Sequence, residues 1–321
     1  MRHFASLAAT VLCATIAVAG GNDTDSPPPW AFAANPPGLT PPPDDGNARR
    51  VPDSPRSFTI TQIRDLYNPP DWHPDDHAPM PDIVGHGRNP GVYACGYCHL
   101  PNGMGRPENA SLAGLPAAYI AQQMADFKNG ARKSSAPHLV PQAFMLAVAT
   151  AVNDQEVAQA AQYFSGLKPK PWIKVVETDT VPKTEVKGWM LVEVQGGARE
   201  AIGERIIEMP LDLERTELRD ADSGFIAYVP PGSVARGAAL ATEGGGGKTQ
   251  ACTICHGADL RGLGPVPALA GRSPSYLVRQ LYDMQRGTRN GTWSALMKTA
   301  LAKLTLADMI DVAAYAAAQA P

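Results

Sequence analysis

The pentapeptide Cys95-Gly-Tyr-Cys98-His99 and its twin Cys252-Thr-Ile-Cys255-His256 constrain this chain more than any other feature of its sequence. Two cysteines three positions apart at the start of a helix can add across the two vinyl groups of one haem as thioethers. The next residue, histidine, then falls beneath the iron. A redox dithiol would not need the histidine twice, and a zinc site would need both cysteine pairs on one metal, leaving both histidines unexplained. Four of the five cysteines fall in these two copies. The spacing predicts two covalently bound haem c groups on Cys95, Cys98, Cys252 and Cys255, with His99 and His256 as proximal iron ligands.

Covalent attachment of haem c takes place outside the bacterial cytoplasm, so such a chain must be exported. Its first residues fit that demand: Arg2 and His3 make a basic start, Phe4 to Val18 are largely apolar, and Ala17-Val18-Ala19 is an A-x-A-like cleavage site. Residues 1–19 are therefore expected to be a cleaved signal peptide that takes Cys13 with it and delivers the protein to the periplasm. The four remaining cysteines, as thioethers, suit an oxidising compartment. No later segment is long and apolar enough to span a bilayer. Residues 20–57 are dense in proline and read as an extended, solvated tether, interrupted by Trp30 and Phe32.

The rest of the chain repeats. At a constant offset of 157 residues, the distance from Cys95 to Cys252, Gly105 matches Gly262 and Leu112-Ala113-Gly114 matches Leu269-Ala270-Gly271. Tyr119, Gln123, Asp126, Gly130 and Arg132 likewise match Tyr276, Gln280, Asp283, Gly287 and Arg289. After Arg132 the first copy carries extra residues, and an offset of 152 pairs Met145 with Met297 and Tyr163 with Tyr315. Each copy ends in a helix with a readable start. Asn153 with Glu156, and Thr305 with Asp308, form capping boxes, followed by the stripes Val157, Ala160, Ala161, Phe164 and Met309, Val312, Ala313, Ala316. An earlier helix, from Pro116 to Phe127 and from Pro274 to Met284, carries Tyr119 and Tyr276 inward. The expected architecture is mainly α: two cytochrome c-like haem domains, 58–168 and 231–321. Between them, β-rich runs in residues 169–230 (Trp172–Val176, Trp189–Val192, Arg205–Ile207, Phe225–Val229) predict a small antiparallel insert bracing the domains. A hydrophobic content of 44% is ample for such cores, and a formal charge of -3 argues against general nucleic-acid binding.

The sixth ligand decides the chemistry, because a second strong ligand closes the iron and leaves electron transfer as its natural activity. Methionine is favoured, a soft thioether that raises the reduction potential. The repeat selects Met145 and Met297, each a short loop before the terminal helix; His138 competes with Met145 at the first site. The proximal histidine's Nδ1 proton needs a backbone acceptor. Pro265 or Pro267 offers it in the second copy; the first copy has Ala110 opposite Pro267, with Pro107 nearby, and leaves the acceptor open there. Arg132 and Arg289 are candidates for pairing with haem propionates; His73, His77 and His86 read as surface or loop residues, with His86 placed where it could reach a propionate.

At these residues the chain resembles the two-haem class I cytochromes c of the c-four kind. The second copy carries the closer likeness: Cys252-x-x-Cys255-His256-Gly257, Pro267-Ala-Leu-Ala-Gly271, Tyr276-x-x-x-Gln280-Leu281, Gly287-x-Arg289 and Met297 before an Ala-rich end. The resemblance covers residues 78 to 168 and 231 to 321. It implies His/Met ligation of both haems, outer-sphere transfer in the periplasm, and redox partner proteins: a dehydrogenase or quinol-oxidising complex as donor, an oxidase or other acceptor downstream. The tether, the segment around Trp72 and the insert depart from the family pattern, and with them the usual pseudo-twofold packing. Two rival functions stand beside the carrier. One is a cytochrome subunit of a dehydrogenase; the other is a di-haem enzyme, of peroxidase or thiosulfate-oxidising type, with one open haem.

Overall fold

Helices and strands follow the order of the sequence repeat. The computed structural model describes residues 26–321; the signal peptide expected at 1–19, with Cys13, lies outside the described residues. The first haem unit opens with single turns α1 (Ile60–Ile63) and α2 (Asp82–Gly85), then α3 (Cys95–His99), α4 (Ala117–Lys128), α5 (Val140–Ala151) and α6 (Asp154–Gly166). After the insert, with β1 (Ile173–Glu177), β2 (Thr180–Pro182), β3 (Thr184–Lys187), β4 (Met190–Glu193), β5 (Arg199–Ala201), β6 (Ile207–Pro210), α7 (Leu213–Glu217) and β7 (Phe225–Val229), the second unit repeats the plan. It has α8 (Ser233–Glu243), α9 (Thr253–His256), α10 (Pro274–Arg286), α11 (Ser294–Leu301) and α12 (Leu306–Ala318).

Local chemistry starts the terminal helices as expected. The Glu156 amide donates to Asn153 Oδ1 and the Asn153 amide to Glu156 Oε2, both at 2.9 Å. Thr305 and Asp308 repeat the exchange at the head of α12. Each box satisfies amide groups that a helix start leaves without partners. In the second unit α8 crosses α12 so closely that a Cβ on Gly237 would run into the Asp311 carbonyl oxygen, so only glycine fits there. The first unit keeps just the one-turn α2 against α6, and the contacts that α8 makes in the second copy have no equal there.

The insert departs from the antiparallel expectation. Its three-stranded sheet has the order β1-β7-β6, with β1 parallel to β7 and β6 antiparallel to β7; β2-β5 and β3-β4 form two antiparallel pairs. The cause is topological. The chain enters the insert along β1 and leaves along β7 in the same direction, so the intervening strands and α7 form the long connection that parallel neighbours require. Val181, Leu191, Ile206, Ala227 and Val229 of the insert join one core with α10 and α12, while Trp172 and Phe225 cover Met104 of the first unit.

The solvated-tether reading fails at residues 30–33. Trp30 and Phe32 are 8% and 5% exposed, Phe32 stacks edge-on against Tyr282 at 5.7 Å between ring centroids, and Arg279 Nη1 donates to the Ala31 carbonyl at 2.5 Å. Two aromatic rings bury enough apolar area to hold a proline-rich segment on α10. Among the described residues no helix is long and apolar enough to cross a membrane.

Where the insert meets α10, Glu208 is 2% exposed. Its Oε2 accepts from Ser273 Oγ at 2.7 Å, the Ser275 amide at 3.0 Å and Ser275 Oγ, while Oε1 has no partner. Burial pushes the carboxyl above the ordinary glutamate range, against the opposing pull of the serine donors. A carboxyl whose folded pKa is raised contributes stability that is fully present below its unfolded pKa and is lost as pH rises through the folded one. Glu208→Gln is accordingly expected to flatten the fall in the urea midpoint between acid and neutral pH. An unchanged fall in the variant would assign it to other groups.

Two candidate haem sites

Each motif forms a short helix whose last residue is the histidine. His99 and His256 are 8% and 6% exposed. His99 Nδ1 donates to the Ala110 carbonyl and His256 Nδ1 to the Pro267 carbonyl, both at 2.8 Å. The two acceptors are aligned in the repeat, and Pro267 rather than Pro265 serves in the second copy. With Nδ1 committed as donor, Nε2 is left as the lone-pair nitrogen. Burial lowers both imidazole pKa values, which keeps the rings neutral and fit to bind a metal.

The turn that brings the acceptor back is also copied. The Gly105 amide donates to the His99 carbonyl at 2.9 Å and the Gly262 amide to the His256 carbonyl at 2.7 Å. Both glycines have positive φ, +67° and +88°, and a Cβ on either would stand 2.7 Å from a carbonyl oxygen, of Ala110 and Val266 respectively.

Cys95, Cys98 and His99 line one wall of a cavity of about 710 Å³, partly open to solvent, in the first unit; Met145 lines it too, with Val157 and Phe164. His138 is exposed and does not line this cavity. Met145 sits within α5 and Met297 within α11, so both candidate ligands are on helices rather than in the loop before the last one. In the second unit Cys252 and Met297 pack, half-buried, against the same core. His73 bonds Asp220 at 2.9 Å, His77 bonds Asp71 at 3.2 Å and His86 bonds Asn68 at 3.0 Å, and none of the three lines the cavity.

The other site candidates meet between the two units. The Lys133 amide donates to the Thr288 carbonyl at 2.8 Å and the Asn290 amide to the Ala131 carbonyl at 2.6 Å, a reciprocal bridge centred on Arg132 and Arg289. Arg132 Nη1 holds Gln123 Oε1 of its own unit at 3.0 Å, and Nη2 holds Tyr276 Oη and Gln280 Oε1 of the other, each at 3.0 Å. Arg289 mirrors this with Gln280, Tyr119 and Gln123 at 3.1, 2.8 and 2.9 Å. Exchanging each residue with its copy maps the network on itself, so the pseudo-twofold packing survives the insert. Tyr119 and Tyr276 thus point across the interface rather than only into their own cores. Burial alone would raise the Tyr119 phenol, but the guanidiniums of Arg289 and Arg132 outweigh it and hold the pKa below its ordinary value.

Sequence reasoning missed Arg272, at an asymmetric position where the first copy has Leu115. It is 6% exposed and reaches from the second unit to Ser111 O and Oγ, both at 2.7 Å, and to Ala113 O at 2.9 Å. Burial pushes its pKa down to about 10. The Nε atoms of Arg272 and Arg289 are buried without a partner. A cluster of buried guanidiniums beside the cavity, held by neutral oxygens and with donors to spare, calls for anions. Haem propionates have that chemistry. With the thiols, the free Nε2 atoms and the apolar cavity, the residues present fit the group.

No protein-family model matches the chain. It is 29% identical to the thiosulfate dehydrogenase electron acceptor of Thiomonas intermedia over 72% of this chain and 80% of that protein. With cytochrome c4 of Pseudomonas aeruginosa it shares 25% identity over 69% of this chain and 81% of the relative. Cytochrome c-554(548) of Halomonas halodenitrificans is 38% identical over 22% of this chain and 88% of its own length.

Proposed function

The chain belongs to the cytochromes c, among the two-haem proteins of the c4 kind with two covalently bound haem c groups, and from that premise we propose that it carries electrons in the periplasm between a dehydrogenase and a terminal acceptor. Each haem supplies a one-electron ferric/ferrous couple. Cys95, Cys98, Cys252 and Cys255 would hold the groups covalently, His99 and His256 would offer Nε2 to the irons, and Met145 and Met297 would offer their thioethers as the further ligands. The interface arginines and tyrosines hold the propionates of both groups and keep the two sites in register. No acid, base or nucleophile is required. The observation that carries the reading is that Met145 lines one cavity with Cys95, Cys98 and His99. For the donor, the name of the Thiomonas relative favours a thiosulfate dehydrogenase, with this chain as a free carrier or as the enzyme's cytochrome subunit.

The test is the near-infrared-edge spectrum of the exported holoprotein during a redox titration, with carbon monoxide added to the reduced form. A carrier gives the full sulfur-to-ferric-iron band, two one-electron waves and no carbon monoxide adduct. Half the band with an adduct would move the protein to the enzymes with one open haem. Co-purification of a dehydrogenase would make it a subunit rather than a free carrier.

A further inference from the structure

The two sites are copies in their inner geometry and opposites in what covers their outer face. Every residue from 101 to 108, in the turn behind His99, is buried, whereas in the aligned stretch 258–265 only Leu260 is. Tyr97, between the first pair of cysteines, is roofed by Arg219: the guanidinium stands 3.6 Å from the ring centroid and Nη1 donates to the Tyr97 carbonyl at 2.7 Å. Ile254, at the same place in the second motif, is 69% exposed. Arg106 gives Nη1 to the Thr216 carbonyl at 3.2 Å and is 6% exposed, while the aligned Leu263 is 62% exposed. Asn102 donates to the Ala221 carbonyl at 2.6 Å; its counterpart Asp259 is exposed.

One segment of the insert, residues 212–223, supplies the groups that meet Tyr97, Asn102 and Arg106, while Met104 lies under Trp172 and Phe225. The segment is pinned by Trp72, 1% exposed, whose Nε1 donates to the Leu218 carbonyl at 2.8 Å. Arg219 itself adopts φ +58°, a left-handed conformation that costs a non-glycine residue stability and persists only where the surroundings fix it. Here the stacking on Tyr97 and the bond to its carbonyl fix it.

We infer that residues 212–223 are a roof over the first motif and the turn behind His99 that closes this face of the first haem site to redox partners, so that electrons enter and leave the protein at the second site. The inference rests on the two-haem carrier reading. Outer-sphere transfer weakens steeply as donor and acceptor separate, and the roof interposes a layer of backbone and side chain at one site that the other lacks. One electron passes from an external reductant to ferric iron at the second site, and one then passes from ferrous iron there to ferric iron at the first. A second reductant molecule refills the second site.

Stopped-flow reduction of the oxidised holoprotein by excess ferrous EDTA tests this, with Met145→His and Met297→His variants, each altering the spectrum of one haem, used to assign the phases. The expected result is a second-site phase proportional to reagent and a first-site phase independent of it. Two reagent-proportional phases in the wild type would overturn the inference. Arg219→Gly, which keeps the backbone conformation unstrained, is expected to give the first-site phase a reagent-proportional component, and its failure to do so would also overturn it. Hydrogen exchange provides a readout free of electron transfer: amides 97–106 should exchange more slowly than 254–263, and equal rates would remove the roof. A single haem per chain or a carbon monoxide adduct would instead defeat the carrier reading, and either is visible before any kinetics are run.

Discussion

Met145→Ala is expected to remove half of the sulfur-to-iron band, to give the reduced protein a carbon monoxide adduct at one haem, and to lower that haem's potential while the other stays put. The argument is local. Met145 lines the cavity that Cys95, Cys98 and His99 also line, and His138, the competing ligand, is exposed and does not. Removing a thioether that favours ferrous iron stabilises the ferric form. The expected fall is on the order of 100 mV or more, within the roughly 0.8 V span that axial ligands command. Met297→Ala should do the same at the second haem alone. Potentiometry with near-infrared detection reads both effects. A Met145→Ala protein that keeps the whole band would place the sulfur ligand elsewhere, and His138→Ala would then show whether that imidazole binds the first iron.

What could be read in advance was what the chain repeats. Ala110 and Pro267 sit at one place in the repeat because the same glycine-dependent turn has to carry a carbonyl back to Nδ1 of the histidine, and that constraint is local enough to leave a spacing. The capping boxes were legible for the same reason. Trp30 and Phe32 were not, since a proline-rich composition describes the backbone between anchors and carries no information about what an isolated aromatic will meet 250 residues later along the chain, on α10. The parallel pairing of β1 with β7 follows from where the chain must enter and leave the insert, which strand propensity does not encode. Arg132 and Arg289 were seen as a pair, but their partners, Tyr276 and Tyr119, each belong to the opposite copy. A repeat alignment superposes such residues and hides that they touch across the interface. Arg272 had the opposite signature, a break in the repeat at Leu115, and breaks of that kind mark where two copies have been made unequal.

That interface should be the most sensitive part of the protein outside the iron ligands. Each arginine of the twin pair serves both units: loss of Arg132 would leave Tyr276 Oη without its charged donor and Gln123 Oε1 and Gln280 Oε1 with Arg289 alone. Removing a charged donor so that a buried neutral acceptor is left unsatisfied typically costs about 1–3 kcal/mol. Arg132→Met is therefore expected to lower the stability of the holoprotein by about that much, and to split one calorimetric unfolding transition into two as the units cease to melt together. Arg132→Lys should not rescue it, because an ammonium cannot present the planar fork that holds Gln123 on one nitrogen and Tyr276 with Gln280 on the other. Arg289→Met should match Arg132→Met, and the double variant should cost more than the two singles combined, since each single leaves Gln123 and Gln280 one charged donor and the double leaves them none. Strict additivity would mean that the two arginines act as independent surface contacts and that the reciprocal network does not hold the units together.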